Sequence, residues 1–295
     1  MTTTLSDAAE PRLRRVSCLG ARGLHRMAYW EWGDPQSSRV LVCVHGLSRQ
    51  GRDFDTLAEA MRGEFRVVCP DVVGRGESDR LADPIGYQLP AYVADMVTLI
   101  ARLDVESVAW VGTSMGGLIG MALAGLPQSP VARLVLNDVG PAIDAAGIAR
   151  IAGYVGVPLT WASEDEAADY LLTISQGFGP HSRAQWLALT RPMLRHEGER
   201  LRLHYDPAIA VPLRAVTPAA AAAGEAALWA AYDAIRCPTL LLRGADSDVL
   251  SMATARGMTE RGSKARLHEF AGVGHAPMLV VPDQVAAVRE FLLGP

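Results

Sequence analysis

The sequence predicts an α/β protein built on a mostly parallel sheet, and three observations carry that prediction. Strand-like and helix-like runs alternate from Arg39 to Arg133 and again from Thr239 to the C-terminus. The alternation stops between Pro141 and about Gly224, where helical-looking runs replace it. Within the first half, Gly112-Thr113-Ser114-Met115-Gly116 joins a strand-like run to an apolar, helix-like one. A serine held there sits on a sharp turn, and glycines two residues to either side remove the side chains that would collide.

Taken in order, the first strand lies near Arg15, and Arg39 to Val44 is a short apolar strand ending in His45-Gly46-Leu47. A helix follows near Asp53 to Met61, then a strand from Phe65 to Cys69 and a helix from Tyr87 to Leu103. Next come a strand from Ser107 to Val111, a helix from Gly117 to Gly125 and a strand from Arg133 to Asn137. Short apolar runs closed by turn residues read as buried strands. Beyond the break, Thr239 to Gly244 and Ala265 to Phe270 are strands, and Asp283 to Leu292 is the last helix. Alternation of this kind means parallel strands with helices on both faces.

In the interrupted part, Glu164 to Ile174 and Ser182 to Leu189 read as helices, broken by Gly177, Gly179, Pro180 and Pro192. Thr217-Pro218 reads as an N-cap and first-turn proline opening an alanine-rich helix. The expected organisation is a core formed by residues 1–140 and 225–295, with a helical cap at 141–224 hinged near Gly140 and Gly224.

Composition narrows the function classes. With 295 residues, 49% of them apolar, the chain can bury a sizeable core. A net charge of −4 with mixed signs implies neither a nucleic-acid nor a membrane partner. The first ten residues hold no apolar signal core, so export is not expected and a cytoplasmic location is. The stretch from Ser107 to Ala132 carries no charge and is long enough to span a bilayer. Its glycines, prolines and serine turn argue instead for a buried strand–turn–helix. Cys18, Cys43, Cys69 and Cys237 have spacings that fit neither a metal site nor a disulfide framework, so buried thiols are expected.

A serine hydroxyl is a poor nucleophile until a base takes its proton, and a carboxylate orients that base. His275 lies in Gly272-Val273-Gly274-His275-Ala276-Pro277, a loop beyond a strand end where catalytic side chains tend to sit. The acid should fall between serine and histidine. Asp248, deep in the loop after Thr239 to Gly244 and ahead of Val249-Leu250, is the preferred candidate. Asp246 reads as a turn cap, and Asp138, at the end of the strand before the cap, as capping the exit from that strand. The oxyanion donors expected are the backbone N–H groups of Met115, opening the helix, and of Leu47, in the loop after the strand ending at Val44. His45 reads as support for that loop.

With Ser114, Asp248 and His275 in that order, His45-Gly46 upstream and a G-x-S-x-G turn, the chain resembles the α/β-hydrolase superfamily. Asp71-Val72-Val73-Gly74-Arg75-Gly76-Glu77-Ser78-Asp79 adds to the resemblance and reads as a tight loop below the active site, since it lacks nucleotide-binding spacing. The resemblance implies an eight-stranded, mostly parallel sheet with helices on both faces and an inserted helical cap. It also implies a serine esterase that needs no metal or organic cofactor. A serine at the turn's centre sets the chain apart from relatives that open epoxides or remove halide with an aspartate. Serine relatives include carboxylesterases, thioesterases, lactonases and C–C bond hydrolases, and some of the esterases act on hydroxyalkanoate oligomers.

The expected partner is therefore a small-molecule ester. A C–C bond hydrolase with the same triad and a slow-turnover ligand receptor with the same pocket are the alternatives. The aromatic and apolar residues of the cap, Trp161, Phe178, His181, Trp186, Leu187 and Tyr205, are candidates to line the substrate pocket.

Overall fold

The computed structural model describes residues 10–294. The segment read as lacking an export signal, apart from Glu10, lies outside the described residues. Two long strands open the chain, β1 (Arg12–Gly20) and β2 (Gly23–Trp32), paired as an antiparallel hairpin. There follow β3 (Val40–Val44), α1 (Asp55–Met61), β4 (Arg66–Pro70), α2 (Leu89–Leu103), β5 (Val108–Thr113), α3 (Met115–Ala124) and β6 (Val131–Asn137). Helix α2 is amphipathic: Tyr92, Met96, Leu99, Ile100 and Leu103 recur at helical spacing and are buried, and Asp104 ends the helix in the left-handed region at φ 57°.

After β6 the chain leaves the sheet for α4 (Ala145–Tyr154), β7 (Thr160–Trp161), α5 (Glu164–Ile174), α6 (Arg183–Thr190), β8 (Leu194–Glu197), β9 (Arg200–Leu203), α7 (Ala210–Arg214) and α8 (Pro218–Ala234). It returns through β10 (Thr239–Gly244), α9 (Met252–Glu260), β11 (Arg266–Phe270) and α10 (Pro282–Leu293). The Thr217 side chain caps α8 by accepting from the Ala220 N–H, as its sequence suggested. Two expectations for this segment change. It is not purely helical, because β7, β9 and β8 form a small antiparallel sheet. Gly224 is also no hinge loop, since α8 runs through it unbroken to Ala234.

The main sheet has eight strands in the order β1-β2-β4-β3-β5-β6-β10-β11, antiparallel through β1, β2 and β4 and parallel beyond. Strand residues alternate between two cores. Val40, Val42 and Val44 join α2, α3, α8 and α9 on one face, while Leu41 and Cys43 join α1 and α10 on the other. From β3 the chain first goes to β4 and only later crosses to β5 on the opposite side. Their carboxyl ends flank a topological switch point, where ligands bind in open α/β sheets. The uncharged stretch from Ser107 to Ala132 is β5, α3 and the start of β6, and among the described residues no helix is long and apolar enough to cross a membrane.

Candidate active site

Ser114 follows β5 directly, with φ 52° and ψ −117°. A non-glycine residue holds such a conformation only where its surroundings impose it. A Cβ at Gly116 would lie 1.9 Å from the Val44 carbonyl oxygen, and one at Gly112 would lie 2.2 Å from that of Gly116. Both glycines are therefore steric requirements of the turn. The indole N–H of Trp110 donates to the Gly116 oxygen at 3.1 Å, and the Ser114 N–H to the Asn137 oxygen at 3.0 Å.

His275 lies between Ser114 and Asp138. Its Nε2 is 2.9 Å from Ser114 Oγ, and its Nδ1 is 2.8 Å from Asp138 Oδ2. A carboxylate only accepts, so Nδ1 carries the proton and Nε2 is left to accept from the serine hydroxyl. Asp138 is fully buried. Its Oδ1 accepts from the Gly244 N–H at 2.8 Å, and its Oδ2 also accepts from the Ser247 hydroxyl at 2.6 Å. Those bonds satisfy a buried carboxylate that would otherwise be costly.

The preferred acid, Asp248, is not the partner of His275. Its carboxylate takes a bidentate grip from Arg150 on α4, with Nε–Oδ2 at 2.6 Å and Nη2–Oδ1 at 2.8 Å. Those hydrogen bonds, together with the charge of the Arg150 guanidinium, hold the Asp248 carboxyl below the usual range. Asp246 donates its backbone N–H to Val273 and stays in the turn. The choice of Asp138 over Asp248 has a backbone cause. Asp138 leaves β6 at φ 55°, in the left-handed region, with its carboxylate against the Gly244–Ser247 turn of neighbouring β10. Ser247 then accepts from the Val249 and Leu250 N–H groups, and Asp248 is turned towards α4.

Leu47 and Met115 flank Ser114 in the wall of one cavity. As the first residue of α3, Met115 has an N–H without an intrahelical partner. The chain at Leu47 is held through its carbonyl: Arg75 donates Nε–H to the Leu47 oxygen at 2.8 Å. Fully buried Arg75 also donates to the Val73 oxygen at 2.7 Å and the Tyr92 hydroxyl at 3.0 Å. Sequence reasoning passed over this arginine, although it stands in the loop taken to lie below the site.

His45 is fully buried and is no rival base. Its Nε2 accepts from the Val72 N–H at 2.9 Å, so Nδ1–H donates to the Gly46 oxygen at 2.7 Å. Burial pushes its pKa down to about 3. The unfolded chain takes up that proton near pH 6.5, so this contribution is full above 6.5 and drains away as pH falls towards 3. Between about pH 7.5 and about pH 5, wild type should lose about 2 kcal/mol more stability than His45→Asn. Urea unfolding at the two pH values measures this, and equal losses in both proteins would show that His45 does not couple folding to protons.

Two cavities meet at Leu47, Ser114 and Ile151. The larger, about 590 Å³, runs beneath α4, α7 and α8 and includes Leu118, Val139, Ile143, Ile148 and Leu213 in its wall. The smaller, about 60 Å³, holds His275 together with Arg49, Asp53, Arg150, Tyr154 and Phe178. Of the proposed lining residues, only Phe178 reaches a cavity at Ser114. Trp186 stacks behind it with centroids 6.0 Å apart, and His181 sits edge-on to Trp186 at 5.5 Å. Trp161 packs on Tyr170 at 5.4 Å, and the Tyr205 hydroxyl accepts from the Gly156 N–H at 3.1 Å. Leu187 is in neither wall. Large aromatics inside a small layer bury most surface by packing on one another.

Comparison with known proteins agrees with this fold. The profile of the alpha/beta hydrolase family matches residues 41–288. The chain is 54% identical over 291 residues to a 3-hydroxybutyrate-oligomer hydrolase of Cupriavidus necator, covering 97% of this chain and 99% of that one. It is 28% identical to a 2-hydroxymuconate semialdehyde hydrolase of a Pseudomonas species, over 77% of this chain and 76% of that one. A crystal structure of an alpha/beta hydrolase from Novosphingobium aromaticivorans superposes with a TM-score of 0.85 at 35% identity, covering 96% of this chain and 98% of that one.

Proposed function

This chain belongs to the alpha/beta hydrolase family, and on that premise we propose that it is a carboxylic ester hydrolase whose substrates are oligomers of 3-hydroxyalkanoates. The observation that carries the reading is the unbroken relay from Ser114 Oγ through His275 to Asp138, at 2.9 and 2.8 Å. The 54% identical relative supports the substrate class.

Ser114 attacks the ester carbonyl while His275 Nε2 takes its proton, and Asp138 holds the imidazole with its proton on Nδ1. The oxyanion forms between the Leu47 and Met115 N–H groups. His275 then returns the proton to the leaving alcohol. Water, activated by the same imidazole, releases the acid and restores the serine. Residues 141–224 act as the cap: they supply Arg150, Tyr154, Leu171, Phe178 and Met193 to the smaller cavity and set substrate choice. The buried or half-buried thiols Cys18, Cys43, Cys69 and Cys237 are compatible with a reducing cytoplasm.

The test is to supply the purified protein with linear 3-hydroxybutyrate dimer and trimer beside p-nitrophenyl esters of graded acyl length. Monomer release from both oligomers, with turnover of the chromogenic esters, is the expected result. Turnover of p-nitrophenyl esters alone would keep the ester hydrolase and remove the oligomer. Silence on every ester would return the chain to a C–C bond hydrolase or a receptor.

A further inference from the structure

The two cavities at Ser114 differ in charge as well as size, and an ester has two different ends. His275 protonates the leaving oxygen, so the alcohol part must lie on the side of His275. That side is the smaller cavity, which His275, Ala276 and Met278 help to line. The acyl part then extends into the larger cavity, past Leu47 and Met115.

Among the described residues, the wall of the larger cavity contains no charged side chain. A carboxylate placed there would be buried without a partner, which is strongly unfavourable. The smaller cavity holds two guanidinium groups. That of Arg49 is only 9% exposed and is saturated on one edge: Nε and Nη2 donate to Asp53 at 2.6 and 2.7 Å, and Nη2 also to the Leu189 oxygen at 3.2 Å. That of Arg150 is 37% exposed and reaches the same cavity from the cap. Asp248 occupies its Nε and one Nη2 hydrogen, which fixes its plane and leaves the other edge of the fork to donate. Tyr154, one turn later on α4, lies against the same guanidinium.

We infer that the smaller cavity is a carboxylate-reading subsite for the leaving group: Arg150, oriented by Asp248, binds the free carboxylate of the terminal hydroxyacid, so that oligomers are shortened one unit at a time from the carboxyl end. This rests on the ester hydrolase reading above. In a 3-hydroxyacid the carboxyl carbon is three bonds from the ester oxygen, so the carboxylate of the leaving unit stays on the His275 side, where Arg150 lines the same wall. The Arg150–Asp248 pair is neutral as a whole, so the attraction is directional, through the unused N–H groups, and not a field acting at long range. The uncharged cavity accepts the rest of the oligomer, whose hydroxyl end carries no charge. Asp248, the residue that its place in the loop favoured as triad acid, becomes a positioning residue for substrate recognition.

Two measurements test this. With 3-hydroxybutyrate trimer acetylated on its hydroxyl end, early products should be free monomer and acetylated dimer. Acetylated monomer with free dimer, or an even mixture of the two patterns, would overturn the inference. For the dimer, kcat/KM for the free acid relative to its methyl ester should fall about 10- to 100-fold in Arg150→Gln, mainly through KM. Asp248→Asn should move that ratio in the same direction by less, and Arg150→Lys should restore part of it. An equal fall for acid and methyl ester means that Arg150 only packs the cap, and the subsite is then wrong while the hydrolase stands. A wild type that cleaves neither substrate would instead remove the hydrolase reading on which the subsite depends.

Discussion

Ser114→Ala should lower ester turnover by about a thousandfold or more while leaving the fold intact. Only the hydroxyl is lost: the Ser114 side chain makes no capping bond to α3, and its backbone contacts to Asn137, Gly117 and Leu118 do not involve Oγ. Stability should therefore stay within about 0.5 kcal/mol, as for a change that removes no packing. Labelling by a fluorophosphonate probe and the urea midpoint report the two quantities separately. Surviving activity in a folded, unlabelled variant would mean that another group attacks the carbonyl.

Asp138→Asn should cost about 10³- to 10⁴-fold in kcat, whereas Asp248→Asn should cost less than about tenfold on a neutral p-nitrophenyl ester. An amide facing the Gly244, Ser247 and His275 donors must aim its own N–H₂ at one of them. The imidazole then loses the acceptor that keeps its proton on Nδ1, and Nε2 is no longer reserved for the serine. Asparagine tolerates the left-handed backbone at position 138, so the variant should fold, with a stability loss of about 1–3 kcal/mol from the mismatched buried group. Burst and steady-state kinetics of both variants on one ester decide the matter. A large loss at position 248 with a small one at 138 would show that the relay in solution runs through the other aspartate.

Much of the fold was legible because its signals are local. Thr239–Gly244 and Glu164–Ile174 have the bounds that their runs suggested, one an apolar stretch stopped by glycine, the other a helix capped by Ser163. The elements passed over lack such signals. In β8 and β9, Leu194-Arg195-His196-Glu197 and Arg200-Leu201-Arg202-Leu203 are short, charged and half exposed, and pair through a two-residue loop with Gly198 at φ 62°. Helix α9 buries only Ala255 and Met258, too little for an amphipathic stripe. In β2, exposed Leu24 and buried His25 and Glu31 obscure the alternation.

The sequence by itself determined the sharp turn at Ser114, because a turn that tight needs glycine at positions 112 and 116 and those requirements act within five residues. It also determined the parallel α/β order and the loop placement of His275. The choice among three aspartates was decided only in three dimensions. Asp138 and Asp248 both lie between serine and histidine in the chain, and no spacing rule separates them. What separates them is that β6 and β10 are neighbours and that Asp138 leaves its strand with a left-handed backbone. Arg150, meanwhile, arrives from α4, 98 residues away from Asp248, to take the other carboxylate. Pairing of charged groups inside a protein depends on which elements pack side by side, and that is fixed by burial over the whole chain, beyond the reach of any local pattern.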